Sequence, residues 1–181
     1  YVKNDVIYLN GNTKMINNLD TLTCDSMIYW SEIDSIYAIG NIQFVNGSKR
    51  GIKGELMEIS YKDSLIEIIK VIDNAFAYNN LNLQINNNGP FLKFRDEMAS
   101  KKMIALFEND YISKIKLFNM ASTLYHVLDD SILAGSNSAS GDTILIEFEM
   151  GNINRIQIHG GGKGKFNPEK NNSKIDTTIF Y

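Results

Sequence analysis

Apolar and polar residues alternate along most of this chain with a period of two. One stretch, TILIEFEMGNINRIQIHG (residues 143–160), shows the pattern on both sides of a turn at Met150-Gly151-Asn152. Such a pattern is typical of a β-hairpin. Almost no segment has apolar residues at the i, i+3, i+4, i+7 spacing that an amphipathic helix requires. The sequence therefore predicts an almost wholly β chain.

The hairpins repeat along the chain. Residues 59–71 (ISYKDSLIEIIKV), 105–117 (ALFENDYISKIKL) and 146–158 (IEFEMGNINRIQI) align without a gap, and a shorter first copy begins near residue 24. Each copy has a small residue at the same place: Cys24, Gly54, Ser100 or Gly141. A small residue within a strand marks a bulge or bend. Four copies in register predict two facing antiparallel sheets built from repeated hairpins.

The stretch HGGGKG (residues 159–164) has the glycines and lysine of a phosphate-binding loop. It lacks the Ser or Thr that follows the lysine of a P-loop, and Lys165 occupies the position of the third glycine of GxGxxG. No helix is predicted after it to hold a phosphate at its N-terminus. Gly160 aligns with Gly40 of the first copy. We interpret these glycines as a bend in the last strand.

Composition excludes several classes of protein. The net charge of −3 argues against nucleic acid as a partner, and the longest apolar runs are too short to span a membrane. A single cysteine, Cys24, excludes an intramolecular disulfide, and neither His126 nor His159 lies in a metal-ligand motif. We expect no cofactor and no metal. The chain begins at Tyr1 without an initiator Met or a signal peptide, so we expect a processed or excised piece.

An enzyme is not expected either. The acidic pairs Asp96-Glu97 and Asp129-Asp130 lie in polar, turn-like stretches and are interpreted as solvated loop charges. Neighbouring carboxylates in a loop do not provide the separation that acid–base catalysis needs. Neither a Ser-His-Asp nor a Cys-His pattern is visible. Cys24 is interpreted as a small bend residue rather than a reactive thiol.

If the small residues mark bends, the alternating positions beside them face one interior. Methionine and aromatic side chains among them would suit a groove for acyl chains, but a closed core uses the same residue types. The interior candidates are Met27, Tyr29, Ile36, Ala38, Ile42, Phe44, Met57, Ile59, Ile69, Met103, Phe107, Ile115, Leu117, Ile144, Ile146 and Ile156.

The motif IYAIGNIQF (residues 36–44), preceded by LTCDSMIYW (residues 22–30), resembles the OstA-like repeat of lipopolysaccharide-transport proteins. This family includes LptA, LptC and the N-terminal domain of LptD. A small residue followed by Asp at Cys24-Asp25 and Gly141-Asp142, and the Gly40-Asn41 step, carry the resemblance, whereas Gly54-Glu55 and Ser100-Lys101 depart from it in charge. It covers roughly residues 8–168, and the later half is most similar to large OstA-like proteins of the Bacteroidetes type.

The resemblance implies a twisted, open β-jelly roll of the LptA type in one domain, residues 1–168, followed by a polar tail or a further segment at 169–181. Its interior would bind the acyl chains of lipid A and pass lipopolysaccharide toward the outer membrane. Other β-jelly-roll Lpt proteins, or a second copy, would stack on the first strand pair and on the last, near residues 153–164. The implied location is the periplasm or the periplasmic face of the outer membrane. The alternative is a non-catalytic structural or protein-binding β-jelly roll with a closed core.

Overall fold

The computed structural model describes residues 2–3, 5–17, 19–86, 89–109, 111–130, 132–149 and 152–169. Every regular element within these ranges is a β-strand, which confirms the all-β prediction. The strands are β1 (Val2–Lys3), β2 (Val6–Asn17), β3 (Asp20–Trp30), β4 (Ser35–Asn46), β5 (Arg50–Lys62), β6 (Leu65–Gln84), β7 (Phe91–Glu108), β8 (Tyr111–Asp129), β9 (Ile132–Glu149), β10 (Asn152–His159) and β11 (Lys163–Pro168). The tail at 170–181 and most of the predicted turn at 150–152 lie outside the described residues, and the predicted domain boundary stays a prediction.

The strands form one continuous antiparallel sheet. Strands β1 to β10 lie in chain order, each hydrogen-bonded to the next, while β11 pairs with β9. Strands β10 and β11 therefore pair with the same neighbour, with Ile156 opposite Ile146 and Lys163 opposite Ser140. They are the two halves of one last strand that bends at residues 160–162. The glycines of HGGGKG form a bend, as predicted.

Every strand from β2 to β9 crosses a similar bend. The register between β3 and β4 breaks between Thr23 and Ser26, and the same break passes from strand to strand across the sheet. Cys24 and Met27 are both buried although they are three residues apart. Because side chains alternate with a period of two in a strand, an odd spacing between inward residues requires a bulge or bend. The two predicted facing sheets are thus two halves of a single folded sheet.

We name the halves by their position relative to these bends. The hairpin half contains residues 6–10, 26–30, 35–39, 56–62, 65–72, 102–108, 111–118, 143–149 and 152–159. The arm half contains residues 13–17, 20–24, 42–46, 50–54, 75–84, 91–100, 121–129, 132–141 and 163–168. Buried residues of both halves pack into one hydrophobic cluster.

Alternate strands build the bend from two consecutive residues in the left-handed region. The pairs are Gly11-Asn12, Gly40-Asn41, Asp73-Asn74, Asn119-Met120 and Gly160-Gly161, with φ between 48° and 82°. Gly, Asn and Asp tolerate this conformation best, which explains the residue types at all of these positions except Met120. The Asn41 amide donates a hydrogen bond to Asp25 Oδ2 at 2.9 Å. The two sequence steps that carry the family resemblance therefore meet in one contact.

The arm half is longest at β6 to β9. Beyond the pair Glu97–Leu124, β7 and β8 are no longer paired, and β6 meets β9 through one parallel pair, Gln84–Ile132. Leu83 and Leu133 are buried near this contact, outside the main cluster. The end of the arm half is therefore rolled up, with a small core of its own.

Substitutions at the bend should separate backbone strain from side-chain contact. Gly40 and Gly47 both have positive φ, but a Cβ at Gly40 would collide with the Asp25 carboxylate, while one at Gly47 would meet nothing within 4 Å. We expect Gly47→Ala to lower the free energy of unfolding by about 1 kcal/mol. Gly40→Ala should lower it by about 1 kcal/mol more, because Asp25 must turn away from Asn41. Urea denaturation measures both, and equal losses would show that the Asp25 contact is unimportant.

Candidate functional site

Two cross-strand rows of apolar residues line the interior of the hairpin half. The row nearer the bend is Met27, Ala38, Met57, Val71, Met103, Leu117, Ile144 and Ile158. The outer row is Tyr29, Ile36, Ile59, Ile69, Ala105, Ile115, Ile146 and Ile156. Directly opposed side chains in neighbouring strands are in contact range. Each row is apolar across eight strands, with Tyr29 as the only side chain that carries a polar group.

The structure brings all sixteen predicted interior residues into or against the hydrophobic cluster, fourteen from the hairpin half and two, Ile42 and Phe44, from the arm half. The buried ones are Met27, Ile36, Ala38, Ile42, Phe44, Met57, Ile59, Ile69, Met103, Ile115, Leu117, Ile144 and Ile146. Tyr29, Phe107 and Ile156 are partly buried and pack against the same cluster. Their role in lipid binding is a separate matter and stays a prediction.

The arm half supplies a facing row, of which the sequence predicted only Phe44. It consists of Leu22, Phe44, Ile52, Ala77, Met98, Thr123, Ala139 and Gly164. Its side chains are large at β3 to β5 and small at β8 to β11. The interior of the arm half is thus lined by bulky side chains on one side and by small ones on the other.

Four aromatic side chains stand near the hairpin turns: Tyr29, Tyr61, Phe107 and Phe148, which we call the rim. Each is partly buried against the core. The Tyr29 hydroxyl donates to Asp34 Oδ1 at 3.0 Å. Burial raises the pKa of Tyr61 to about 12, and the carboxylates of Asp20 and Asp34 contribute. Asp20 belongs to the arm half, and Asp34 lies in the turn between β3 and β4.

The middle of the interior is filled. Ala38, Met57, Ile59, Ile69 and Ile146 each have 0% of their surface exposed, so no open groove passes along them in this conformation. A ligand at these residues would require the two halves to separate.

An open cleft of about 860 Å³ lies instead over β7, β8, β9 and β11. Its lining is rich in small residues, including Ala99, Ser122, Ser138, Ser140 and Gly164. None of the sixteen predicted residues lines it.

Thr123 also lines this cleft, and it is the polar member of the arm-half row. It is buried, and its Oγ1 has no hydrogen-bond partner among the described residues. An unsatisfied buried hydroxyl destabilises the fold by about 1–3 kcal/mol.

The acidic pair Asp96-Glu97 does not lie in a loop, so that part of the sequence interpretation is wrong. Both residues belong to β7, and the Asp96 side chain is only 17% exposed. Asp96 Oδ1 lies 2.9 Å from His126 Nδ1 and accepts the His126 backbone N–H at 2.9 Å. The carboxylate thus bridges β7 and β8 where their pairing has ended. The Phe94 ring packs against the imidazole at 5.0 Å between centroids.

This His–Asp pair stabilises the rolled end of the arm half. Ser136 lies opposite His126 in the sheet register, but no hydroxyl among the described residues hydrogen-bonds to the imidazole ring. Glu97 pairs with Arg95, whose guanidinium also packs over the Phe76 and Tyr78 rings. The polar groups here are used for packing between strands.

Metal and thiol chemistry find little support in the described part of the chain. No group of three or more His, Cys, Asp or Glu side chains there could hold a metal ion. Cys24 is buried at the bend, and burial raises the pKa of its thiol. A thiol with a raised pKa is a poor nucleophile. No helix that is long and apolar enough to cross a membrane occurs among the described residues.

Fold and interior together define an all-β protein of the open β-jelly-roll class, with an apolar interior between two halves of one sheet. No protein-family profile matches the chain, and no curated protein matches it. Among solved structures it is similar to LptH from Pseudomonas aeruginosa, the LptA-homologous periplasmic component of the lipopolysaccharide transport device. The sequences are 7% identical, the TM-score is 0.46, and the match covers 82% of this chain and 80% of that one.

Replacing the unpartnered hydroxyl should stabilise the protein. In Thr123→Val the buried oxygen becomes a methyl group of similar size, so the free energy of unfolding should rise by about 1 kcal/mol. Thr23→Val is the matched control, because Thr23 Oγ1 donates to the Gln43 carbonyl at 3.4 Å. That variant should be neutral or slightly destabilised. A loss of stability in Thr123→Val, measured by urea denaturation, would mean that the hydroxyl has a partner in solution.

Proposed function

We propose that this protein is a periplasmic lipopolysaccharide-transport component that binds acyl chains of lipid A between the two halves of its sheet and passes them toward the outer membrane. The observation that carries the proposal is the apolar interior, which is continuous across eight strands of a sheet whose described strands do not close into a barrel. Three parts of the proposal rest on the resemblance of the repeats to the OstA-like family: the identity of the lipid, the periplasmic location and a role without catalysis.

The interior has the chemistry that acyl chains need. Met27, Met57 and Met103 lie in the row nearer the bend, and their unbranched side chains can adjust when the halves separate at the rim. Burying about ten methylenes contributes up to about 8 kcal/mol before ordering costs. That is enough for reversible capture, which a transfer protein also needs for release.

The rim is where we place entry. Tyr29, Tyr61, Phe107 and Phe148 are already partly exposed, whereas the rows behind them are filled. The halves would separate at the rim and pivot on the bends. The OH groups of Tyr29 and Tyr61 are suited to the polar boundary of a lipid, since tyrosine places an apolar ring beside a polar tip.

A second candidate function is a structural or protein-binding module with a closed core. The complete burial of Ala38, Met57 and Ile59 favours it, because the described conformation leaves no space beside them. The two functions differ in whether the rim contacts lipid.

Photocrosslinking from the rim distinguishes them. A photoreactive phenylalanine at Phe107 or Phe148 replaces one aromatic ring with another, so folding should be retained. We expect adducts with lipopolysaccharide or lipid A from both positions. Thr23 and Gln43 face outward on the arm half and serve as control positions from which no adduct is expected. Equal labelling at all four positions, or no labelling of a folded protein, would favour the closed core.

The partners that we propose are other β-jelly-roll proteins of the same system, or a second copy, bound at the edges of the sheet. Most of β2 and the whole of β10 and β11 have a sheet neighbour on one side only among the described strands. Such edges accept additional strands. Strands β2 and β10 run in the same direction. If β10 of one copy joins β2 of the next, the two strands pair in parallel and the copies form an open stack. If the same edge of two copies is joined, the strands pair antiparallel and the copies form a two-fold dimer.

A charge on an edge should weaken this association. Phe166 is 43% exposed on β11, and Phe166→Lys should shift concentration-dependent light scattering toward the monomer. Leu65→Lys alters a residue of similar exposure (41%) beside a hairpin turn and should leave association unchanged. A strict monomer that also binds no related β-jelly roll would contradict the edge proposal.

A further inference from the structure

The two halves of the sheet differ on their outer faces. In the hairpin half, the outward positions of β3 to β6 are mostly apolar. They include Ile28, Trp30, Tyr37, Ile39, Leu56 and Ile72. The apolar character continues over β6 to β9 with Ile68, Ile104, Leu106, Phe118 and Leu145. We call this surface the outer hairpin face.

The outward positions of the arm half provide an internal comparison. At the corresponding strands they carry Thr21, Thr23, Gln43, Lys53, Ser122 and Ser140. Apolar residues on the same face are Val45, Phe76, Tyr78, Ala99 and Leu124. Polar residues nevertheless predominate on β3 and β9, as on an ordinary exposed sheet face. The apolar outer hairpin face is therefore a local departure within the same sheet.

This face is exposed within the described part of the chain. The described strands form a single sheet, and no described element lies over the outer hairpin face. Ile39 and Ile72 are 37% and 40% exposed, and the other apolar residues shield one another only by lying side by side. Eight strands at about 4.8 Å spacing make it roughly 35 Å wide. An apolar patch of this extent marks an interaction surface.

The charges on this face are mostly positive. Its cations are Lys70, Lys102, Lys114, Lys116 and Arg155, and its carboxylates are Glu58 and Glu147. Both carboxylates are paired, Glu58 with Lys70 at 3.0 Å and Glu147 with Lys114 at 3.2 Å. These positions hold five cations and two carboxylates, and the outward row next to the hairpin turns adds Lys62, Glu108 and Glu149. The face therefore keeps a small positive charge, concentrated away from the turns, although the whole chain carries −3.

We propose that the outer hairpin face docks on the surface of an anionic lipid bilayer. Apolar side chains interleaved with long cationic ones suit a bilayer surface, because lysine stems lie along the apolar layer while their ammonium groups reach lipid phosphates. Trp30 and Tyr37, which pack edge to face at 6.5 Å, have the amphipathic rings that are enriched at this boundary. A second copy fits less well, since the five cations away from the turns would face those of the other copy and repel them. This docking does not depend on lipid binding in the interior.

Vesicle binding of the 181-residue chain tests the proposal, with phospholipids alone so that lipopolysaccharide cannot contribute. The only tryptophan of the chain, Trp30, lies on the outer hairpin face and reports contact directly. With vesicles of phosphatidylglycerol and phosphatidylcholine we expect co-sedimentation, a blue shift of Trp30 emission, and quenching by brominated lipid. Vesicles of phosphatidylcholine alone should bind at least about tenfold more weakly. Salt at about 1 M should release the protein.

Matched variants locate the contact. The double variant Lys102→Glu/Lys116→Glu should lower vesicle affinity by about tenfold or more. Lys14→Glu/Lys53→Glu makes the same change of charge on exposed residues of the arm half and should retain clearly more affinity. Ile72→Ser should weaken binding, whereas Ile16→Ser, at a residue that is 63% exposed on the arm half, should not.

Several results would overturn the proposal. One is a folded chain whose Trp30 emission does not change with anionic vesicles. Another is equal loss of binding in the hairpin-half and arm-half charge variants. Binding that appears only after residues 170–181 are removed would assign the face to that segment. Dimerisation that is lost in Ile72→Ser, without vesicle binding, would assign it to a second copy.

Discussion

The interior of this protein depends on one backbone constraint: every strand must bend at the same level of the sheet and still direct apolar side chains to the same side. Strand β3 does this with an odd spacing between Cys24 and Met27, and β4 with an even spacing between Ala38 and Ile42. A slip of one residue at any bend would turn the arm half of that strand inside out. The left-handed pairs, such as Gly40-Asn41, and the Asp25–Asn41 hydrogen bond fix the bend without a bulky side chain.

The same constraint explains how much the sequence could predict. Alternation within each hairpin located the inward residues of the hairpin half, and the small residues located the bends. The facing row of the arm half, with Leu22, Ile52 and Met98, was missed because the period of two does not continue through a bend whose length differs between strands. The rolled end of the arm half was missed for a different reason. Asp96 and His126 are separated by 30 residues, and their contact depends on where β7 and β8 part, which no local pattern encodes.

The outer hairpin face is visible in the sequence as apolar runs that do not follow the alternation of apolar and polar residues. The runs IIKVI (residues 68–72) and MIALF (residues 103–107) have apolar residues at successive positions, so both faces of β6 and β7 are apolar. In a sheet buried on both faces such runs are expected, but no described element covers the outer face of this folded sheet. Packing in the interior explains only the inward residues of these runs. Ile68, Ile72, Ile104 and Leu106 need a separate physical explanation, and an interaction surface provides one.

The filled interior limits how a lipid could be bound there. Exposing one fully buried Ile or Met costs about 1.5–3 kcal/mol, whereas an acyl chain of about ten methylenes returns at most about 8 kcal/mol. A ligand can therefore offset the separation of roughly three or four core side chains, but not of two rows that cross eight strands. An acyl chain can therefore bind without unfolding the core only at side chains that are already partly exposed. The rim residues Tyr29, Phe107 and Phe148 meet this condition, and Met57 and Ile59 do not. The fully buried residues of the two rows then stay packed, and a ligand at the rim packs against them.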